Sequence, residues 1–122
     1  MSLKIVQHAN PPTIALTGRL DTNTAPQLDE VLNQVLSVGG VSRLVFDLSE
    51  LQYLSSAGIR CFIRARKALE ADGGKVAILN PQPAVRKVLD IVKAIPAGGV
   101  FRNVAELDAY LDEIQRKVRN PE

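Results

Sequence analysis

The sequence holds one cysteine, one histidine and no tryptophan. Cys61 alone excludes an intramolecular disulfide and a thiolate metal cluster. His8 alone leaves a histidine-rich metal site without ligands, and a Cys/His pair would have to join residues far apart in the chain. Three Phe and two Tyr are the only aromatics, too few to build a platform for stacked bases. The 15 Lys and Arg residues nearly balance 13 Asp and Glu, for a net charge of +2, and they never gather into the basic blocks that mark nucleic-acid binding. No apolar run approaches the roughly 18 residues of a membrane span, and the opening Met1–Asn10 segment lacks the apolar stretch of a secretory signal. These absences lead to the expectation of a cytoplasmic protein with no cofactor or metal, no membrane insertion and no nucleic acid.

What is present is a balanced composition, 46% hydrophobic and 23% charged over 122 residues, enough chain to bury about two thirds of its unfolded surface. One domain is expected over 1–118, with 119–122 as a short loose tail. Leu3 to Val6 and Thr13 to Thr17, on either side of the Asn10-Pro11-Pro12 breaker, read as two strands joined by a turn. Asp21-Thr22-Asn23-Thr24 supplies N-cap residues before Pro26 opens a helix, whose apolar face is Leu28, Val31, Leu32, Val35 and Leu36. Gly39-Gly40 ends it. Arg43 to Leu48 reads as a central strand covered on both faces, Ser49 to Ser56 as a serine-rich connection, and the chain beyond as a helix to about Asp72. After the Gly73-Gly74 turn, Lys75 to Leu79 reads as the next buried strand. Pro81 and Pro83 open a short helix with Val85, Val88, Leu89 and Val92 on one side. An edge strand is expected around Val100-Phe101, and an amphipathic last helix from about Val104 to Val118 through Leu107, Tyr110, Leu111 and Ile114. The order predicts an α/β fold, a mixed β-sheet of four to five strands with about four helices packed on it.

The segment from Asp47 to Gly58 joins a strand to a helix through Ser55, Ser56 and Gly58, and two readings coexist there. In one, Ser55 caps the helix with its hydroxyl and Gly58 allows close packing on the sheet. In the other, a serine hydroxyl at an exposed helix start is a place for a phosphate, because the free amides and the dipole favour an anion. Along the helix Ser56, Arg60, Arg64 and Lys67 share one side. Ile59 and Ile63 lie on its flank and are expected to be partly exposed, an apolar patch rimmed by arginines, against the alternative that a broad core face covers both. Ser56 has no local His or Lys to act as base and no Gly-x-Ser-x-Gly frame, so a catalytic nucleophile is unsupported. Asp47 is expected to hold amides of the following segment, Cys61 to be buried, and His8 to lie at the surface.

Thr17-Gly18-Arg19-Leu20-Asp21, Phe46-Asp47-Leu48-Ser49, Tyr53-Leu54-Ser55-Ser56-Ala57-Gly58-Ile59, Asp72-Gly73-Gly74 and Pro83-Ala84-Val85-Arg86-Lys87-Val88-Leu89 follow one another in order. The series, over roughly Leu3 to Leu111, resembles the anti-sigma factor antagonists of the STAS domain family. The resemblance implies a mixed sheet with helices, no catalytic activity, and partner switching. In that scheme the unphosphorylated antagonist binds an anti-sigma factor that is also a serine kinase, which releases the sigma factor. Phosphorylation of one serine at the start of the second helix weakens the complex, and a PP2C-type phosphatase restores it. Matching the motif puts the phosphoacceptor at Ser56. Where the family commonly carries Asp before the acceptor this chain has Ser55, a second candidate acceptor, and where Ser often follows it has Ala57. The loop with Asp21, Asn23 and Thr24 is implied to lie at the same end of the sheet. Asp21, Asn23, Thr24, Ser55, Ser56, Ile59, Arg60 and Ile63 then form the implied partner surface, and the plainer reading of the loop is a helix cap.

A phosphate adds about −1.5 to −2 charges near neutral pH, and burying it unpaired in a contact costs more than the ~1–3 kcal/mol of an ordinary polar mismatch. Moving a partner from mostly bound to mostly free takes about 5.5 kcal/mol of differential affinity. Arg60 and Arg64 would soften the effect if they paired with the phosphate within the chain. The switch requires that the Ser56 hydroxyl be reachable from solvent where the third strand meets its helix. A second reading is a STAS-type docking subunit of a larger assembly, such as a lipid-transport complex or a sensory scaffold, whose same face docks without a phosphate.

Overall fold

The structure, a computed structural model, describes residues 3–9, 11–94 and 104–119. Strands β1 (Leu3–Ala9) and β2 (Pro12–Leu20) pair antiparallel with Ala9 opposite Pro12, and Pro11 lies in a turn. Proline opens β2, a position that tolerates its missing N–H. β2 runs parallel to β3 (Arg43–Leu54), and β3 parallel to β4 (Lys75–Leu79), in one mixed sheet of order β1-β2-β3-β4. The helices are α1 (Ala25–Ser37), α2 (Ser56–Glu70), α3 (Pro83–Ala94) and α4 (Val104–Arg119). Among the described residues, four strands and four helices match the expected fold.

The sequence places a connection from Ser49 to Ser56, but the strand continues through Leu54. Asp47 is opposite Ala15 and Glu50 opposite Thr17; Leu51 is opposite Gly18 and Tyr53 opposite Arg19. β3 therefore carries an extra residue at each of two irregularities, and each one reverses which face the following side chains meet. Leu44, Phe46 and Leu48 are buried before the first, Leu51 after it and Leu54 after the second. The broken alternation, with Ser49 and Glu50 exposed between, disguises a strand as a loop. Asp47 Oδ1 accepts from the Ser49 amide at 3.1 Å, as expected of a carboxylate there.

β4 corrects a second expectation, because it forms the edge of the described sheet and only Val76 of its residues is half-buried. It pairs with Arg43 to Asp47 alone. Beyond Asp47, glutamine carboxamides take up backbone groups of β3. Gln82 Nε2 donates to Ser49 O at 2.9 Å, while Gln115 accepts from the Leu54 amide and donates to the Leu54 carbonyl, both at 2.8 Å.

The helices bury the faces that periodicity assigns. Leu28 and Leu32 of α1 are fully buried, with Val31, Val35 and Leu36 packed against the core. On α2, Phe62 meets Phe46 of the sheet with ring centroids 4.7 Å apart. α2 ends when the Gly74 amide donates to Leu69 O at 2.8 Å and the Gly73 amide to Glu70 O at 3.1 Å. That closure needs a left-handed residue, supplied by Gly73 at φ 79. Val85 and Val88 of α3 and Leu111 of α4 complete the core. The expected edge strand around Val100-Phe101 and residues 120–122 lie outside the described residues, as do the side chains of Val92 and Leu107. α4 extends to Arg119, into the segment expected as tail.

Candidate functional site

β2 and β3 end side by side. Leu20 is opposite Leu54, and Leu20 O accepts from the Ser55 amide at 2.9 Å. Both strands then hand over toward helices, so the 21–24 loop and the start of α2 share one end of the sheet, as the resemblance implies. The helix start is pressed onto that end: a Cβ on Gly58 would come within 2.6 Å of both Leu20 and Leu54, two fully buried side chains. Only glycine permits this approach.

Ser55 occupies the N-cap position with extended backbone, φ −99 and ψ 175, and its carbonyl accepts the Ile59 amide at 3.0 Å. Its hydroxyl makes no capping bond, contrary to the simpler expectation. Ser56 opens the helix. The expectation of an open hydroxyl is overturned: Ser55 is 4% and Ser56 6% exposed, and both Oγ atoms are buried without a hydrogen-bond partner among the described residues. Ile59, expected to be partly exposed, is buried with the core, and Ile63 is half-buried. Gly58 brings the first turn of α2 down onto the strand ends, which closes it from beneath.

What meets the helix start from outside is α4. Asp108 Oδ1 accepts from the Ser56 amide at 2.9 Å, supplying an anion to a first turn that has no acidic residue of its own. Two turns on, the fully buried Gln115 holds both backbone groups of Leu54. Between them Asp112 places its charge near the buried Tyr53. Burial above all, then the Asp112 charge, raises the Tyr53 pKa above its ordinary 10.0, against the lowering effect of Arg19. The Arg19 guanidinium lies over the Tyr53 ring at 3.9 Å, because Arg19 and Tyr53 are opposite in the β2–β3 register.

The 21–24 loop is wired internally. Asp21 Oδ1 accepts from the amides of Asn23 at 2.9 Å and Thr24 at 3.1 Å. The Thr24 hydroxyl donates to Arg19 O at 2.8 Å and accepts from the Asp21 amide at 2.9 Å. Thr24 is therefore buried, whereas Thr22 and Asn23 are exposed. Between the first halves of α1 and α2 lies a groove of about 400 Å³ walled in part by Thr22, Pro26, Asp29, Arg60 and Arg64. Arg64 Nη2 sits 2.7 Å from Asp29 Oδ1, while Arg60 is exposed. Cys61 is buried as expected. Its thiol donates to Asp29 Oδ1 at 3.1 Å, and burial, reinforced by Asp29, pushes its pKa up to about 12. His8 is exposed on β1.

The residues that reading of the sequence missed are those of α4. Asp108, Asp112 and Gln115 recur at helical spacing beside Leu111; Gln115 is buried with it, Asp108 is half-buried and Asp112 is exposed. That spacing is in the sequence, but the polar residues along it carry no sign of which partners they meet. The Arg19–Tyr53 stack carried no signal without the β2–β3 register.

Comparisons with known proteins agree with this architecture. The STAS domain family model matches residues 2–107. An anti-sigma F factor antagonist of Lysinibacillus sphaericus is 31% identical over 75 residues, 62% of this chain and 64% of that protein. The match thus spans just under two thirds of the relative's length. The anti-sigma factor antagonist SpoIIAA, solved in its unphosphorylated form, is similar with a TM-score of 0.66 at 25% identity over 75% of this chain and 80% of that one. An anti-sigma factor antagonist from Mycobacterium paratuberculosis shares the fold at 21% identity with a TM-score of 0.64, over 97% of this chain and 93% of that one. No helix among the described residues is long and apolar enough to cross a membrane. With its sheet order and a family match over residues 2–107 in accord, the chain belongs to the STAS domain family.

Proposed function

We propose that this chain is an anti-sigma factor antagonist acting in the cytoplasm as a single STAS domain over 1–118. In this reading it binds an anti-sigma factor with serine kinase activity and so frees a sigma factor for transcription. Phosphorylation of Ser56 ends that binding, and a PP2C-type phosphatase restores it; Ser55 is the second candidate acceptor. The observation that carries the reading is the placement of Ser56 as the first residue of α2, at the sheet end shared with the 21–24 loop, in a chain similar to a named antagonist. Asn23, Arg60 and Ile63 offer accessible surface around that point, and Asp21, Thr24, Ser55 and Ile59 shape it from beneath. A phosphate there would bring about −1.5 to −2 charges onto a surface that must otherwise be desolvated by the partner.

Burial of the Ser56 hydroxyl favours a second reading, in which the same face docks constitutively in a larger assembly and no phosphate is involved. Mixing the chain with its cognate kinase and ATP, then locating the modified residue by mass spectrometry, separates the two. The proposal expects Ser56→Ala to abolish labelling while retaining binding, and Ser56→Asp to weaken binding. Labelling that persists in Ser56→Ala moves the site to Ser55. Stable binding with no labelling of the wild-type chain supports the docking subunit.

A further inference from the structure

The Ser56 hydroxyl, as it stands, is closed to any kinase, and the contact that closes on it is unevenly anchored. α4 is held at its rear by Leu111 and Gln115, both fully buried, with the carboxamide of Gln115 making two 2.8 Å bonds to Leu54. Its front is different. There Asp108 is half-buried, and its carboxylate accepts from the Ser56 amide at 2.9 Å. The charge is uneven too. Glu106, Asp108, Asp112 and Glu113 fall in the front and middle of the helix, and Arg116, Lys117 and Arg119 in its last turn.

The Ser56 hydroxyl oxygen is three covalent bonds from its own amide nitrogen. Any anion attached to that oxygen therefore competes with the Asp108 carboxylate for the same amide and the same helix start. Two anions there repel one another, and the acidic front of α4 adds to the repulsion. Meanwhile an unpartnered buried hydroxyl gains nothing from the closed arrangement.

We propose that the front of α4 is a displaceable cover on the start of α2, in which Asp108 and a negative group on Ser56 exclude one another. With Asp108 on the Ser56 amide the site is shut. When the front of α4 lifts about the Leu111–Gln115 anchor the hydroxyl is exposed, and a phosphate placed on it takes over the amide and keeps the cover off. The inference rests on Ser56 being the modified residue for its biological use, but the cover itself is tested without a kinase.

Ser56→Cys in a Cys61→Ala chain places a single thiol under the cover. Its rate of reaction with Ellman's reagent reads the open population. Adding Asp108→Ala should raise that rate about tenfold. In parallel, hydrogen exchange on Ser56→Glu should show the amides of the front half of α4 exchanging about tenfold faster than in the wild type, with the rear half unchanged, and Asp108→Ala should cancel that difference. Equal thiol rates with and without Asp108 overturn the proposal, as does exchange that accelerates along the whole helix together. Should Ser56→Glu fail to fold, the thiol comparison decides alone. A kinase that never labels Ser56, whether or not Asp108 is present, sinks the phosphorylation reading and leaves the thiol result to judge the cover.

Discussion

α1 and α2 begin at the same end of the sheet and are closed in opposite ways. The start of α1 is settled within a few residues of chain: Asp21 and Thr24 satisfy each other's backbone and that of Arg19 and Asn23. The start of α2 borrows its anion from Asp108, 52 residues away in sequence, and leaves the hydroxyls of Ser55 and Ser56 without partners among the described residues. A local closure forms and persists with its own segment. A borrowed one lasts only while the lending helix stays in place, which makes it the half of this pair suited to a switch.

The comparison is broken most forcefully by removing what keeps the lending helix seated. Gln115→Leu keeps the bulk of the side chain but strands the Leu54 amide and carbonyl in the core. Leaving two buried backbone groups unpaired is expected to lower stability by about 2–5 kcal/mol. The midpoint of urea unfolding measures it. A loss below about 0.5 kcal/mol would mean that water or another group replaces the carboxamide.

Hydroxyl removal at the two helix starts should then have opposite signs. Thr24→Val deletes a hydroxyl that both donates and accepts, each within 2.9 Å, and is expected to cost about 1–2 kcal/mol. Ser56→Ala deletes one that does neither, and should leave stability unchanged or raise it by up to about 1 kcal/mol. Thermal unfolding of the two variants beside the wild type gives the signs directly. A destabilised Ser56→Ala chain would show that this hydroxyl has a partner in solution, and the contrast between the two starts would collapse.

The same contrast sets how much was legible in the sequence. Local features could be read: the apolar face from Leu28 to Leu36, the glycine stop at Gly73, the turn at Pro11, and the position of Ser56 at a helix start. The end of β3 could not, because two extra residues reverse its alternation and make Ser49 to Leu54 resemble a connection. β4 read as buried because Val76, Ile78 and Leu79 are apolar, yet apolar composition does not distinguish a central strand from an edge one. Burial of the Ser56 hydroxyl depends on Leu20, Leu54 and α4, partners that lie close only after the whole chain has folded. What a residue is was visible; what covers it was a matter of tertiary contact.

The smallest effect tests whether the two halves of the site also differ in acid–base behaviour. Cys61, between α1 and α2, has its pKa pushed from an ordinary 9.0 to about 12 by burial and then by Asp29. The folded chain therefore keeps this proton where the unfolded chain has lost it. Stability from the thiol is fully present below about pH 9 and declines as pH rises toward the folded value. Tyr53, beside Asp112 of α4, is also raised and works in the same direction from its ordinary 10.0 upward. Unfolding midpoints followed from about pH 8 to about pH 11 should fall in the wild type, fall less steeply in Cys61→Ala, and flatten further when Tyr53→Phe is added. When the front of α4 lifts, the Asp108 charge that also raises the Tyr53 pKa moves away. The Tyr53 share of the slope should then shrink while that of Cys61 stays, so the alkaline limb reports separately on the fixed half of this site and on the movable one.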